Sequence, residues 1–366
     1  MKVVLTGAGG FLGWHTRLRM HAAGEHEVTA VTRATWADLP ELVAEADAVL
    51  HVAGVNRGTD DEVEDGNVRL AEDVAAAVRA AGHPVRVVYA NSVQDGNGTP
   101  YGSGKARAAE LLGGLRAEGH AVVDVRLPNV FGEHGRPKYN SFVATFVHAV
   151  AGGEAPQVAD RPVELLHAQG AAQGLVDGLT IDAQRLDPRG TEVGVQEVLD
   201  LLLEFESSYA SGEFPDLSTP FRIDLFNTYR AALFPQRYPI PLRPNTDARG
   251  TFVETVRCRG GEGQSSFSTT VPGVTRGEHY HLSKIERFAV VQGTATIGLR
   301  RMFHDEVVEF PVSGAAPSAV DMPVGWAHNI TNTGEDVLVT QFWSHELFRP
   351  DAPDTFPHPV AQEAGA

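Results

Sequence analysis

Two residues with the spacing needed for proton transfer, Tyr101 and Lys105, lie four positions apart in the segment Tyr-Gly-Ser-Gly-Lys. On a helix this spacing places the phenol and the ammonium on one face. A neighbouring cation favours the phenolate and lowers the pKa of the phenol, so Tyr101 could give a proton to a carbonyl oxygen. Ser92 precedes the pair and could polarise the same carbonyl. We therefore predict carbonyl reduction, or alcohol oxidation in reverse, with Ser92, Tyr101 and Lys105 as catalytic residues.

Three glycines, Gly7, Gly10 and Gly13, follow the first short apolar segment of the chain. Such glycines permit a tight turn and let backbone N–H groups and a helix N-terminus approach a pyrophosphate. The array stands after a predicted strand and before a predicted helix, which is the context that a dinucleotide site needs. We expect Phe11 and Leu12, between the last two glycines, to belong to the same site.

Arg33 stands at the end of the second predicted strand, twenty residues after Gly13. An acidic residue near this position would hold the ribose hydroxyl of NAD, whereas an arginine can accommodate the ribose phosphate of NADP. Arg33 therefore favours NADPH, although most arginines are exposed to solvent without binding a ligand.

A second group of residues suits a metal ion. His279, His281 and Glu286 occur close together, and His328 follows in a separate segment. On a strand His279 and His281 point to the same side, because side chains alternate. Three imidazoles and one carboxylate suit zinc, iron, nickel or manganese, and we expect zinc first. The alternative is that these are ordinary polar residues on the open face of a sheet.

The elements that position the first group alternate between short β-branched segments and longer helical patterns. This alternation predicts an α/β fold with a Rossmann-like doubly wound parallel sheet. The predicted strands are Lys2 to Thr6, Glu27 to Thr32, Ala48 to Val52, Val85 to Tyr89 and Val122 to Arg126.

The second group lies in a part of the chain with a different sequence pattern. From Ser211 to Arg249 prolines are frequent and no period is clear, and short strands with turn signals then follow one another. This pattern predicts an all-β sandwich or barrel. We place the domains at residues 1–242 and 243–366, and we expect the chain after Pro350 to be an arm or to be disordered.

Composition and charge limit the classes of function. A chain of 366 residues is too long for one ordinary hydrophobic core, so we expect two domains. The formal net charge of −17 argues against a nucleic acid or an anionic membrane as partner. Cys258 is the only cysteine, so an internal disulfide and a thiolate zinc site are excluded. We expect a cytoplasmic protein without a membrane segment.

The N-terminal motifs resemble those of the extended short-chain dehydrogenase/reductase family, which acts mostly on nucleotide sugars. Beyond the glycines and the Ser, Tyr and Lys residues, Ala53-Gly54 resembles the loop beside the adenine of the cofactor, and Asn129 resembles a substrate-contacting asparagine. In this family the lysine also contacts the ribose, so Tyr101 and Lys105 count as cofactor-binding too. Ser92 precedes Tyr101 by only nine residues, and Leu-Leu-His-Ala-Gln-Gly at residues 165–170 departs from the usual segment.

The two histidine-containing segments resemble the paired motifs of the cupin family, whose small β-barrel carries a metal in its interior. The spacing of the first motif is complete, whereas Pro317 replaces the glycine that usually begins the second. The resemblance implies a C-terminal all-β cupin barrel with His279, His281, Glu286 and His328 as metal ligands.

The whole chain resembles bifunctional capsular-polysaccharide enzymes in which these two domains are fused, through segments such as AGVNR, RPKYNSFVATF and GQSSFSTTVPGVTRGEHYH. This resemblance implies that the cupin epimerises a UDP-4-keto-6-deoxy-hexosamine at carbon 3 and that the reductase then reduces carbon 4 with NADPH. The product would be UDP-N-acetyl-6-deoxy-L-talosamine, a precursor of N-acetyl-L-fucosamine, and the protein would be a homodimer. Further candidates for the UDP-sugar site are Arg136, Tyr139 and Asn140. For the epimerisation base, Lys284, His304 and His345 stay open.

Three alternatives compete with this interpretation. The protein could be an NADPH-dependent ketoreductase of another deoxysugar nucleotide. It could be a non-catalytic NADP-binding regulator, although such proteins often lack the pair formed by Tyr101 and Lys105. The cupin could also be a dimerisation module without chemistry of its own, because fold alone does not fix function.

Overall fold

The computed structural model of the chain describes residues 1–361. By internal contacts the chain divides into two compact units. The first comprises Met1–Thr145 and Val158–Glu197, and the second comprises Phe146–Gln157 and the residues from Val198 onward. The predicted boundary at residues 242 and 243 stays a prediction that fragments of the chain can test.

The chain up to residue 233 alternates strands and helices. Their order is β1 (Lys2–Thr6), α1 (Phe11–Ala23), β2 (Glu27–Val31), α2 (Leu39–Ala44), β3 (Ala48–His51), α3 (Asp60–Ala80), β4 (Arg86–Ser92), α4 (Pro100–Gly114), β5 (Ala121–Leu127), β6 (Asn129–Phe131), α5 (Phe142–Ala151), β7 (Pro162–His167), α6 (Ala168–Asp177), β8 (Arg185–Leu186), β9 (Thr191–Gly194), α7 (Val195–Ala210), β10 (Phe214–Asp216) and α8 (Pro220–Leu233). Short 3₁₀ turns occupy Trp36–Asp38 and Leu115–Glu118.

The first unit is built on a parallel sheet of six strands in the order β2-β1-β3-β4-β5-β8. One face packs against α2, α3 and α4, and the other packs against α1 and α6. Strands covered on both faces are almost fully buried, as β3 and β4 are. The five predicted strands correspond to β1 to β5, and the prediction of a Rossmann-like doubly wound parallel sheet is confirmed.

The second unit contains a helix that the sequence analysis missed. The absence of a clear period between Ser211 and Arg249 predicted no helix there, but α8 occupies fourteen of these residues. Thr219 caps its first turn, because its hydroxyl accepts the N–H of Arg222, and Pro220 begins it. Asn227 and Arg230 are buried together with the apolar residues of α8, so no polar face marks the helical period.

The remaining elements are strands. They are β11 (Ile240–Pro241), β12 (Pro244–Asp247), β13 (Gly250–Val253), β14 (Cys258–Gly260), β15 (Gln264–Thr270), β16 (Thr275–Tyr280), β17 (Glu286–Gln292), β18 (Thr294–Arg301), β19 (Val307–Ser313), β20 (Ser318–Met322), β21 (Trp326–Asn332), β22 (Leu338–Ser344) and β23 (Phe356–Pro357). Two antiparallel five-stranded sheets, β11-β20-β17-β22-β15 and β19-β18-β21-β16-β23, form the barrel. The prediction of a C-terminal all-β cupin barrel is confirmed.

We expected the chain after Pro350 to be an arm or to be disordered, and residues 351–361 form an arm that packs against the barrel. Strand β23 pairs with β16, and the Asp354 carboxylate accepts the N–H groups of Leu282, Ser283 and Lys284 at 2.7–2.9 Å. These contacts hold the arm in place, because the backbone N–H groups of residues 282–284 would otherwise lack hydrogen-bond partners. Residues 362–366 of the predicted arm lie outside the described residues.

Candidate functional sites

Strand β4 and helix α4 bring the three predicted catalytic residues together. Ser92 ends β4, and α4 begins at Pro100 because the Thr99 hydroxyl accepts the N–H of Gly102 at 3.1 Å. Tyr101 and Lys105 therefore lie one helical turn apart near the start of α4. The hydroxyl of Tyr101 forms a hydrogen bond with Ser92, and the Lys105 Nζ lies 5.9 Å from the centre of the Tyr101 ring.

Burial controls the charge of both titrating groups. It lowers the pKa of Lys105 to about 8, against the opposing effect of Asp124, so the ammonium form predominates at neutral pH. Burial also raises the pKa of Tyr101, and the hydrogen bond with Ser92 lowers it by less. The direction for Tyr101 is the reverse of the one expected from the sequence, because desolvation outweighs the hydrogen bond with Ser92. Tyr101 is therefore a protonated phenol, which is the form that can donate to a carbonyl oxygen.

The glycine array forms a tight turn between β1 and α1. Gly7 has a φ of +70°, and a Cβ on it would lie 2.7 Å from the backbone nitrogen of Ala53. A Cβ on Gly13 would lie 2.0 Å from the carbonyl oxygen of Gly7. Gly10 is the N-cap of α1 and provides no side-chain cap, so the first N–H groups of the helix are open to an anion. The turn fits a pyrophosphate because any side chain at Gly7 or Gly13 would close it.

The other predicted cofactor residues surround this turn. Phe11 and Leu12 form the first turn of α1 and are half-buried, and Arg33 follows β2 and is exposed. Gly54 follows Ala53 in an exposed position, and a Cβ there would lie 3.7 Å from the Lys105 Nζ. The loop after β3 therefore connects the glycine turn with Lys105, the predicted catalytic lysine.

The predicted substrate residues lie in β6 and in the segment between β6 and α5. Asn129 is exposed, and its amide donates to the carbonyl oxygen of Glu164 at 3.3 Å. The guanidinium of Arg136 lies 5.3 Å from the centre of the Tyr139 ring. Arg57, which the sequence analysis did not single out, lies 5.6 Å from the same ring and donates to Asn140 Oδ1 at 3.2 Å. Arg57 stands in the motif AGVNR, which was the available signal.

Sequence analysis also missed a buried polar cluster beneath Gly132. His167 Nε2 lies 3.2 Å from Glu133 Oε2, and His15 Nε2 lies 3.0 Å from the Glu133 carbonyl oxygen. Burial alone would raise the pKa of Glu133, but His167 and His15 bring it down to about 2. His15 also packs edge-on against Phe11 at 5.2 Å. The cluster therefore connects α1 with the loop that carries the substrate candidates.

The barrel brings the four predicted metal ligands together. The imidazole nitrogens of His279, His281 and His328 lie 3.8, 3.2 and 3.3 Å from Glu286 Oε2. One ligand atom from each residue falls within 4.8 Å of every other. His279 and His328 face each other across β16 and β21, and Glu286 begins β17 in the opposite sheet. The donor set suits zinc and its neighbours, because three imidazoles and one carboxylate converge on one point.

Backbone carbonyl groups orient two of these imidazoles. The Nδ1 of His281 lies 2.5 Å from the Asp354 carbonyl oxygen, and that of His328 lies 3.1 Å from the Trp326 carbonyl oxygen. A proton on Nδ1 then leaves Nε2 free to bind a metal, as in metal-binding histidines generally. Burial lowers the pKa of His328 to about 4, so this imidazole is neutral at pH 7. Three imidazole hydrogen bonds outweigh burial and hold the pKa of Glu286 well below its usual range.

The residues left open as epimerisation base have different surroundings. Lys284 is buried and donates to the Pro353 carbonyl oxygen at 2.5 Å, and His345 accepts the N–H of Ile285 at 3.0 Å. Burial lowers the pKa of His345 to about 4. His304 is exposed. Lys284 and His345 thus fasten the loop between His281 and Glu286, which gives both a structural role.

Among residues 1–361, no helix combines the length and apolar character needed to cross a membrane. Comparison with known proteins separates the chain into two matched regions. Residues 3–176 match the NAD dependent epimerase/dehydratase family, and residues 245–356 match the polysaccharide biosynthesis C-terminal domain.

Similar proteins include a UDP-sugar reductase and two proteins named for polysaccharide assembly or biosynthesis. A UDP-2-acetamido-2,6-beta-L-arabino-hexul-4-ose reductase of Pseudomonas aeruginosa is 35% identical over 373 residues and is aligned over 100% of both chains. The capsular polysaccharide assembling protein CapF of Staphylococcus aureus is 34% identical, with a TM-score of 0.64 over 98% of this chain and 100% of that one. The spore coat polysaccharide biosynthesis protein SpsL of Bacillus subtilis is 29% identical over 122 residues, which is 31% of this chain and 81% of that one.

Fold and sites together define a short-chain dehydrogenase/reductase joined to a cupin. Both the reductase of Pseudomonas aeruginosa and CapF align with the chain over almost its whole length. The chain belongs to the CapF family.

Proposed function

We propose that the protein reduces carbon 4 of a UDP-4-keto-6-deoxy-hexosamine with NADPH after its barrel has epimerised carbon 3. The product is UDP-N-acetyl-6-deoxy-L-talosamine, on the way to N-acetyl-L-fucosamine in capsular polysaccharide synthesis. The observation that carries the proposal is the convergence of Ser92, Tyr101 and Lys105 beside the glycine turn. The name of the relative from Pseudomonas aeruginosa supports the choice of sugar. The proposed compartment is the cytoplasm.

In the reductase site each catalytic residue has one task. NADPH supplies the hydride that reaches carbon 4. Tyr101 gives its phenolic proton to the oxygen on carbon 4, so that the carbonyl becomes an alcohol. The Lys105 ammonium stabilises the phenolate that Tyr101 becomes, and Ser92 orients the carbonyl by a hydrogen bond.

The cofactor would be held by the residues around the turn. Gly7, Gly10 and Gly13 leave room for the pyrophosphate, with Phe11, Leu12, Ala53 and Gly54 beside it. Lys105 would also contact the ribose near Tyr101, and Arg33 would bind the ribose phosphate that distinguishes NADPH from NADH.

The UDP-sugar would bind along the segment that follows β6. Arg57 and Arg136 place two guanidinium groups 5.6 and 5.3 Å from the centre of the Tyr139 ring, and guanidinium groups suit a diphosphate. Asn140 and Asn129 offer amide groups for the sugar.

In the barrel, His279, His281, Glu286 and His328 would hold a divalent metal, zinc in the first place. A hydrogen on the carbon beside a ketone is acidic, and a divalent cation stabilises the enolate that its removal leaves. Carbon 3 is such a carbon in the proposed substrate, and return of the proton from the opposite face inverts it.

We also propose that the protein is a homodimer. Strand β15 lies at the edge of its sheet and exposes 74% of Phe267, and the hairpin β12–β13 exposes 63% of Phe252. Exposed aromatic residues on a sheet edge favour pairing with another chain. Sedimentation analysis would show a single species of twice the chain mass, whereas a monomer at micromolar concentration would contradict the proposal.

The experiment follows both activities at once. The protein is incubated in deuterated water with UDP-2-acetamido-2,6-dideoxy-β-L-arabino-4-hexulose and NADPH, and the product is analysed by NMR and mass spectrometry. Deuterium at carbon 3 with a reduced carbon 4 supports both activities. NADPH oxidation without deuterium would refute the epimerase role and leave a ketoreductase. Neither signal with this or any other 4-keto sugar would favour the non-catalytic regulator.

Two variants separate the sites in the same assay. Tyr101→Phe should abolish NADPH oxidation while deuterium still enters carbon 3. His328→Ala should bind less metal and should no longer incorporate deuterium at carbon 3. The metal content of the variant can be measured independently. If chelated protein exchanged carbon 3 as fast as untreated protein, the metal would have no catalytic role and the barrel would be a structural module.

A further inference from the structure

A row of polar side chains crosses the parallel sheet beneath helix α4. Thr6, His51, Tyr89 and Asp124 are successive register partners on β1, β3, β4 and β5. Register partners point to the same face of a sheet, and this face is otherwise the apolar core under α2, α3 and α4. Thr6, His51 and Tyr89 are almost fully buried, and Asp124 is half-buried.

The first half of the row is held by defined contacts. The Thr6 hydroxyl accepts the N–H groups of Val52 and Ala53 at 3.2 and 3.3 Å, so its own hydrogen is left for His51 Nδ1 at 2.8 Å. Burial, assisted by the charge of Lys105, lowers the pKa of His51 to about 3, and the ring is therefore neutral. The His51 ring stacks on Tyr89 with 5.5 Å between centres.

Lys105 meets the row at Tyr89. Its Nζ lies 4.7 Å from the centre of the Tyr89 ring and donates to the Ala90 carbonyl oxygen at 2.8 Å. Only 5% of Lys105 is exposed, so water supplies little compensation for the charge. The titratable groups that face it are Tyr101 on its own helix and His51, Tyr89 and Asp124 on the sheet. Asp124 is the only carboxyl group among these four. Burial raises its pKa, Asn91 and Arg126 lower it, and its charge favours the ammonium form of Lys105.

Two atoms at the end of the row lack hydrogen-bond partners among residues 1–361. They are the Tyr89 hydroxyl and the Asp124 Oδ1, both buried. A buried carboxylate oxygen without a partner costs free energy, and an asparagine or an apolar residue would avoid part of that cost. The Asn91 side chain forms a hydrogen bond with the Asp124 carboxylate, and it donates to Asp95 at 2.9 Å. A carboxylate at this position therefore calls for a role that depends on its charge.

We propose that Asp124 is a positioning residue of the reductase site: it is the counter-charge that keeps the buried Lys105 ammonium protonated, with Tyr89 holding that ammonium beneath Tyr101. The inference rests on the proposed function for its catalytic meaning, because the ammonium is the form that stabilises the Tyr101 phenolate. It has a physical consequence that does not depend on the substrate, namely the titration of Lys105.

The sign of the effect follows from charge. Asp124→Asn removes the negative charge and leaves burial, so Lys105 loses its proton at a lower pH than in the wild type. Reduction should therefore weaken at alkaline pH and stay close to wild type near pH 6, where Lys105 is protonated in both proteins. A shift of half a unit lowers kcat/KM roughly threefold at pH values above both midpoints.

The chain suits a direct measurement, because it contains four lysines, at positions 2, 105, 138 and 284. Full-length protein labelled with ¹³C at the lysine Cε is titrated by NMR, and Lys105→Arg assigns the signal. The wild-type midpoint should lie near pH 8. It should move to lower pH in Asp124→Asn and return in Asp124→Glu. Asp95→Asn is the matched control: it removes a carboxylate near Asp124 and should leave the midpoint in place.

The outcomes keep the two proposals apart. An unchanged Lys105 midpoint in Asp124→Asn would overturn the inference whatever the enzyme reduces. A shifted midpoint without a matching shift in the alkaline limb of kcat/KM, or an equal loss of activity at every pH, would overturn the positioning role. A wild-type protein that reduces no 4-keto sugar would refute the proposed function instead. If Asp124→Asn fails to fold by thermal unfolding, Asp124→Ser removes the same charge with a smaller side chain.

Discussion

The second unit contains a buried ion pair whose removal should be costly. Arg287 on β17 donates to both oxygens of Asp321 on β20 at 2.6 and 2.8 Å, and the two residues are 3% and 1% exposed. The Tyr209 hydroxyl on α7 donates to the same carboxylate and lies 2.7 Å from the Tyr238 hydroxyl. The guanidinium also lies 4.4 Å from the centre of the Phe214 ring. Charge, hydrogen bonds and aromatic packing thus connect strands β17 and β20 with helix α7.

The perturbation we choose is Asp321→Asn, which keeps the shape and removes the charge. Breaking a buried pair by removing one partner costs about 3–5 kcal/mol, because the other charge stays buried without compensation. The asparagine oxygen can still accept one hydrogen bond, so we expect a loss of stability at the lower end of this range, about 3 kcal/mol. In a domain of this size each kcal/mol lowers Tm by about 2–4 °C. We therefore expect a fall of about 6–12 °C.

Thermal unfolding followed by near-UV circular dichroism measures the change. The control is Asp247→Asn, which breaks the contact of Asp247 with Arg249 at 2.5 Å between side chains that are 52% and 91% exposed. Exposed pairs contribute little, so this variant should unfold at the wild-type temperature. If both variants shifted Tm equally, the ion pair would not be part of the structural core, and the argument from burial would be refuted.

Four further predictions concern other parts of the chain. A fragment from residue 198 onward should unfold cooperatively, whereas one from residue 243 should not, because the second lacks Tyr209 and Tyr238; equal cooperativity by calorimetry would contradict this. Gly13→Ala should lose most NADPH affinity by fluorescence titration, since its Cβ would meet the Gly7 carbonyl oxygen at 2.0 Å. Tyr101→Phe should lower reduction by about 100-fold or more while NADPH affinity stays within a few-fold. Glu133→Gln should cost about 3 kcal/mol at pH 7. The pKa of Glu133 is about 2 in the folded chain, against an ordinary value of 4.5, so the difference from wild type should shrink as pH falls from 5 towards 2; urea unfolding at several pH values would show it.

The sequence predicts the parallel sheet well because its signals are local. Most strands of the parallel sheet are short β-branched segments between helical patterns, and burial on both faces makes the centres of β1, β3 and β4 largely apolar. The glycine turn is equally local, since Gly7, Gly10 and Gly13 fall within seven residues. Tyr101 and Lys105 are close for the same reason, as one helical turn separates them.

Helix α8 was missed because its environment hides the usual period. Asn227 and Arg230 are buried, and Arg230 Nη2 donates to the Asn227 side chain at 2.7 Å and lies near the Met322 carbonyl oxygen. A helix covered on most sides has no solvated stripe to reveal its 3.6-residue repeat. The start signal at Thr219 and Pro220 was present, but the surrounding prolines obscured it.

Contacts between residues that are far apart in the chain could not be predicted from the sequence either. Arg57 and Asn140 are 83 positions apart, and the row that ends at Asp124 depends on the register of four strands. Glu133 gives no sign in the sequence that two histidines will surround it. The metal cluster was predictable for the opposite reason, since three of its four members stand within eight residues.

Asp354 has a consequence for the order in which the protein matures. Its carbonyl oxygen orients His281, which precedes it by 73 positions, and its carboxylate fixes the loop before Glu286. A chain emerging from the ribosome presents its earlier residues first, and domains fold as units during synthesis. The glycine turn and its sheet are therefore synthesised and folded before Asp354, the residue that fixes the loop between His281 and Glu286. The orientation of His281 therefore comes after the synthesis of Asp354, and nascent chains that stop short of Asp354 carry all four predicted ligands without the carbonyl group that orients His281.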